Sequence, residues 1–361
     1  MKKLSNMSLE EKIAQMLIID LKAETDHEKI ISLIEKIPFG GIVLYKRNYK
    51  DYSNMIELIN KVKETNQKSS NVPIFISMDQ EGGRVNRIPE PIHRLKSAYT
   101  YAKTENVQVV KESADILAYI LANSGINFNY APVLDIKRFD DSHPIGDRCY
   151  GDNKEDVVKY GTIVLKQMQE KNVVPVAKHF PGHGATHQDS HFFLPVISKD
   201  IENLEEDMYP FEKAIESGCD AIMIGHLVIK KLDRRRPASL SKKVINELLV
   251  KKYGYKGLIV SDDLKMKAVA LRYRPQVAVR LSIIAGNDLS IISGDIKRTE
   301  KIIQYIAKMV RKGKISQEQI DNSVKKILEI KKKYQINDDK INEIDTDKVN
   351  QRIDKLNKKI S

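Results

Sequence analysis

The segment Lys178–His191, KHFPGHGATHQDSH, concentrates the residue types that move protons and bind hydroxyls. It holds four of the chain's eight histidines, His179, His183, His187 and His191, spaced four apart. On a helix that spacing would stack the rings on one face and suggest a metal site. Pro181, Gly182 and Gly184 interrupt any helix, so the segment reads as a strand running into a loop. The fourfold spacing then loses its meaning. In such a loop Asp189 and His191 can form an acid/base dyad. A carboxylate accepting the imidazole N–H fixes its tautomer and raises its pKa, so the ring can donate a proton and take one back. The plainer reading is that Asp-Ser-His caps the segment that follows. This chemistry needs no metal and no organic cofactor.

A second chemical signal is the pair Asp262–Asp263, which follows an apolar run. A carboxylate at a strand end can attack a sugar's anomeric carbon and form a glycosyl-enzyme. An Asp there can equally cap the next helix. The expected division is Asp262 as nucleophile and Asp263 as cap. Other polar residues also close apolar runs: Asp79 before Gln80-Glu81-Gly82-Gly83-Arg84, Lys178 and His179, and His226, while Asp288 falls early in the last run. Polar groups collected at one end of many strands point to an enzyme rather than a core.

These residues must be held by repeating strand–helix units. Eight short β-branched runs recur: Met16–Asp20, Gly41–Tyr45, Pro73–Asp79, Ile126–Val133, Val173–His179, Asp220–His226, Gly257–Asp262 and Asp288–Ser293. Between them lie amphipathic helical patterns, among them Tyr52–Asn66, Asn106–Asn123, Lys154–Lys171 and Ser241–Lys252. The first helix opens at Ser8 with a capping box to Glu11. Eight such units predict an α/β fold, a (β/α)8 barrel of the TIM type, with its site at the C-terminal ends of the strands. A doubly wound open sheet is the alternative, but no GxGxxG follows the first strand. The barrel is expected over residues 1–335, as one catalytic domain. Residues 336–361 are strongly charged and read as a C-terminal helix or tail.

The chain has 361 residues and a net charge of +12, from 61 Lys+Arg against 49 Asp+Glu. The lysines are scattered and sit beside acids, so they read as a solvated surface and not as a nucleic-acid interface. The N-terminal stretch has no apolar core of a secretory signal, and no run approaches a membrane span. Two cysteines, Cys149 and Cys219, cannot build a disulfide framework, which suggests a reducing, cytoplasmic setting. No nucleic-acid partner and no membrane insertion are expected.

Taken in order, MDQEGGRVNRI (78–88), NFNYAPVLDI (127–136), IGDRCYG (145–151), KHFPGHGATHQDSH, SDDLKM (261–266) and AGNDLSII (285–292) resemble family 3 glycoside hydrolases. More narrowly, they resemble the bacterial β-N-acetylglucosaminidases (β-hexosaminidases) of cell-wall recycling. The resemblance runs from about residue 7 to 330. It implies Asp262 as nucleophile and His191 with Asp189 as acid/base. It implies sugar contacts from Asp79, Arg87, Arg148, Lys178 and His179, while Glu81, Gly82 and Gly83 shape the turn. Cys149 departs from a usual small hydroxyl residue, Lys265 and Lys267 add unexpected charge, and Leu271–Arg280 lacks an acid. These departures are expected to lie away from the chemistry.

The resulting expectation is a retaining exo-hydrolase that removes terminal non-reducing β-linked N-acetylglucosamine. The substrate implied by the resemblance is a muropeptide fragment of peptidoglycan. Phosphorolysis is the nearest alternative, since a neutral histidine repels phosphate less than a carboxylate does. A metal-dependent hydrolase on the same barrel and a basic binding protein are the others.

Overall fold

Each of the eight apolar runs becomes a strand because both of its faces are covered, one by the barrel interior and one by helices. The computed structural model describes residues 2–20, 27–141, 143–185, 195–197 and 204–360. Its strands are β1 (Leu17–Asp20), β2 (Gly41–Leu44), β3 (Phe75–Met78), β4 (Phe128–Asn129), β5 (Val174–Phe180), β6 (Val196–Ile197), β7 (Ala221–Ile224), β8 (Val228–Ile229), β9 (Leu258–Ser261) and β10 (Ser290–Ser293).

Eight of these pair in parallel in the order β10-β1-β2-β3-β4-β5-β7-β9. The two outer strands then meet. Val260 bridges Leu289 in parallel, and Ser261 N–H donates to the Leu289 carbonyl at 2.9 Å. The sheet is therefore an almost closed barrel with helices around it, as expected, and not an open doubly wound sheet.

Two differences from expectation have local reasons. β4 is only two residues long, although the apolar run covers Ile126–Val133. Pro132 has no N–H to give, so the ladder breaks there. Pairing resumes with the Val133–Lys178 bridge and the bond from Leu134 N–H to the Lys178 carbonyl (2.7 Å). A small separate parallel pair, β6 with β8, was not anticipated.

The first helix, Leu9–Gln15, starts at the Ser8 capping box. Glu11 N–H donates to Ser8 Oγ (3.1 Å) and Ser8 N–H to Glu11 Oε2 (2.7 Å). At the other end of the chain, the charged stretch straps onto the barrel. Asn66 donates to Asp338 (2.7 Å), and Asn60 and Ile341 exchange two bonds of 2.9 Å. The helix Thr346–Asn357 then lies on Val107–Asn123, burying Val349, Ile353 and Leu356. Each such side chain adds about 2 kcal/mol of burial.

Candidate active site

The turn after β3 starts one half of the site. Gly82 (φ +95°) and Gly83 (φ +53°) take left-handed backbone that only glycine adopts freely. A Cβ on Gly82 would also sit 2.7 Å from the Lys96 carbonyl oxygen. Gln80 braces the returning chain, its Oε1 accepting from Arg87 N–H (2.6 Å) and Ile88 N–H (3.1 Å). This turn presents Asp79 and Glu81 to residues on two other elements.

Lys178, near the end of β5, is 1% exposed. Its ammonium donates to Asp79 Oδ1 at 2.7 Å and pairs with Glu81 Oε1 at 2.6 Å. Arg148, on the turn Gly146–Arg148, grips both Glu81 oxygens at 2.8 Å through Nε and Nη2. The result is a buried chain of alternating charge, Asp79–Lys178–Glu81–Arg148. Burial opposes ionisation of Glu81, but Arg148 and Lys178 outweigh it and hold the carboxyl well below the usual range. Removing one member would leave an uncompensated buried charge. Glu81 is therefore an ion partner and not only a turn former, which its place beside two glycines concealed.

His179 follows Lys178 on β5 and faces a carboxylate that sequence reasoning missed. Asp135 Oδ2 lies 2.7 Å from His179 Nδ1, and Asp135 Oδ1 accepts from His183 N–H at 2.6 Å. The signal for Asp135 was present: a lone acid in the apolar run PVLDI, which burial tolerates only when it is bonded. His183 begins a single 3-10 turn, His183–Ala185, so the chain does not pass from β5 straight into an α-helix. Burial and the neighbouring His179 push its imidazole down to about 4, so it is neutral.

The other half comes from β9. Asp262 N–H donates to the Ile224 carbonyl (3.1 Å), and its Oδ1 accepts from Asp263 N–H (2.8 Å). Asp263 Oδ1 accepts from Lys265 N–H (2.9 Å), fixing the turn that follows. Burial pushes the Asp263 carboxyl up to about 6, Lys265 opposes this, and Asp20 and Asp262 add to it. His226 is buried and uses both ring nitrogens, toward Ser239 Oγ (2.7 Å) and the Asp263 carbonyl (2.9 Å). It braces this turn.

Asp20 was also missed, though it ends the first run. It is fully buried, and its carboxylate bonds Arg47 and Lys265. Lys265 also pairs with Asp263 at 3.3 Å. Lys265 thus sits beside Asp263, the neighbour of Asp262. Arg87 stacks its guanidinium 5.8 Å from the Tyr45 ring centre, and its buried Nε has no acceptor among the described residues. Asp288 belongs to the opposite end of the barrel, where it accepts from Ile259 N–H, Ser323 and Lys326. Asp189 and His191 lie outside the described residues.

The profile for the glycosyl hydrolase family 3 N terminal domain matches residues 8–330. The chain belongs to this family. It is an enzyme fold of the glycoside hydrolase class. Beta-hexosaminidase A of Pseudoalteromonas piscicida is 31% identical over 330 residues, covering 84% of this chain and 55% of that protein. A beta-hexosaminidase of Vibrio cholerae serotype O1 (strain ATCC 39541 / Classical Ogawa 395 / O395) is 32% identical over 273 residues, 75% of this chain and 80% of that protein. The chain thus spans about half of the first relative and four-fifths of the second. A family 3 beta-N-acetylglucosaminidase from Paenibacillus sp. str. FPU-7 superposes with a TM-score of 0.90 at 30% identity, over 98% of this chain and 69% of that one. Among the described residues no helix is long and apolar enough to cross a membrane.

Proposed function

We propose that the protein is a retaining exo-β-N-acetylglucosaminidase. Asp262 attacks the anomeric carbon of a terminal β-linked N-acetylglucosamine and forms a glycosyl-enzyme. His191, held by Asp189, protonates the leaving oxygen and then takes a proton from water to release the sugar. Asp79, Lys178, Arg148, Arg87 and His179 hold the sugar. The class of sugar follows the names of the relatives. The leaving group is a muropeptide fragment, N-acetylglucosamine being linked to a muramic residue of peptidoglycan. Both cysteines are free and buried, which favours action in the cytoplasm.

The observation that carries this reading is the buried chain Asp79–Lys178–Glu81–Arg148 at the same barrel end as Asp262. Fixed donors and acceptors of this kind suit sugar hydroxyls. The Arg87 Nε–H, without an acceptor among the described residues, fits the same role.

The test is hydrolysis of an aryl β-N-acetylglucosaminide against the matching β-glucoside, for wild type, Asp262→Ala and His191→Ala. The wild type should favour the N-acetylglucosaminide. Asp262→Ala should lose at least about 10³-fold in kcat/KM, as expected for a covalent nucleophile. Normal turnover by Asp262→Ala would reject the assignment. Sugar-1-phosphate appearing in phosphate buffer would turn the reading to phosphorolysis.

A further inference from the structure

Asp135 is completely buried, and among the described residues its carboxylate bonds to one short stretch of chain. Its Oδ2 accepts from His179 N–H (3.2 Å) and faces His179 Nδ1 (2.7 Å), while Oδ1 accepts from His183 N–H (2.6 Å). The two backbone bonds pin the carboxylate on both oxygens, so it cannot rotate away from the ring. Burial opposes its charge, but the His179 ring and these N–H groups keep the carboxyl below its ordinary range. An ionised carboxylate only accepts, so the proton between it and His179 belongs to Nδ1. In the neutral ring, Nε2 is then the bare nitrogen, an acceptor for a hydroxyl donor.

We propose that Asp135 is a positioning residue of the glycosidase site, which locks His179 in the Nδ1–H tautomer and so presents Nε2 as an acceptor to a sugar hydroxyl. The inference rests on the glycosidase reading above, in which His179 touches the sugar. It differs from a purely structural role, in which Asp135 would satisfy two backbone N–H groups and the ring would be incidental. A carboxylate behind a histidine is a general device for fixing which nitrogen faces the reaction.

The test has a spectroscopic arm and a kinetic arm. ¹⁵N spectra of the full chain, assigned with His179→Gln, should show His179 protonated on Nδ1 at neutral pH. Asp135→Ala should yield a mixture of tautomers or the other one. With an aryl β-N-acetylglucosaminide, Asp135→Ala should lower kcat/KM about 10²-fold, the size expected for a misplaced contact. In a His179→Ala background the same change should add less than about threefold, because the two residues act as a unit. Equal losses in both backgrounds with an unchanged tautomer would overturn the proposal. If Asp135→Ala does not fold, Asp135→Asn takes its place, and an Nε2–H tautomer in the wild type alone is decisive against it. A wild type without glycosidase activity would sink the functional reading but leave the spectroscopic arm intact.

Discussion

The barrel buries a lysine at each end, and the two are solved differently. Lys178, at the C-terminal ends of the strands, pairs with Asp79 and Glu81. Lys331, from the helix Gln317–Lys333, sits under the opposite end and is fully buried. Among the described residues its ammonium bonds to neutral acceptors, Gln15 Oε1 and the Gly40 carbonyl, both at 2.9 Å, and lies 4.7 Å from the Phe75 ring centre. A buried ammonium between two carboxylates keeps its charge available. One between neutral acceptors carries its charge at a cost. The difference separates an end built to handle charged and hydroxylic groups from an end built to close.

The largest break in this contrast should come from Lys178→Met. It removes the proposed sugar contact and leaves Asp79 and Glu81 without their shared cation. We expect kcat/KM on an aryl β-N-acetylglucosaminide to fall by about 10³-fold, the scale for loss of a fixed donor at a reacting site. Lys331→Met should leave that value within about twofold, by the argument that distant sites act independently. Equal activity losses at the two lysines would erase the distinction.

Glu81→Gln should act next most strongly, and mainly on stability. It leaves Arg148 and Lys178 with one carboxylate fewer, at about 3 kcal/mol for a broken buried pair. The sign with pH follows from its lowered carboxyl. The folded state binds fewer protons than the unfolded chain, so Glu81 contributes full stability above its unfolded value of 4.5. That contribution is lost as pH falls below this value. Urea midpoints of wild type and variant should therefore differ most at neutral pH, and the gap should narrow progressively as pH falls below 4.5. A constant gap between the two curves would show that Glu81 is not held as an ion.

How much of this was legible beforehand follows from the same residues. Strand positions could be read because β-branched runs buried on both faces repeat along the chain, and seven of the eight ran close to their expected bounds. The run at Ile126–Val133 shortened because Pro132 acts on hydrogen bonding and not on hydrophobicity. Lys178 and His179 were legible as polar residues closing an apolar strand. Glu81 was not, because its role depends on Arg148, which is 67 positions away. Asp20 and Asp135 were overlooked for the same reason: a buried carboxylate is explained by partners that only the closed barrel supplies. Lys331 had no signal at all, since its helix pattern is that of an ordinary charged surface.

Lys331 also offers the smallest and cleanest test, because its sign is opposite to that of Glu81. Burial pushes its ammonium down to about 7 from an ordinary 10.5, with Asp338 opposing. Below about pH 7 the folded protein carries this charge in full and is weakened by it. From there up to about 10.5 the folded state releases the proton before the unfolded chain does. The unfolded state then binds more protons, so stability rises with pH, by at most about 1.4 kcal/mol per unit from this group. Other groups titrate in the same range, so the readout is the difference between wild type and Lys331→Met at each pH. At pH 6.5 the variant should equal or exceed the wild type, since methionine fills the space without a charge. By pH 9 the balance should have moved toward the wild type by about 2 kcal/mol, as the neutral amine keeps its bonds to Gln15 and Gly40. A difference that stays flat from pH 6.5 to 9 would mean that Lys331 is paired after all, and the two ends of the barrel would no longer stand apart.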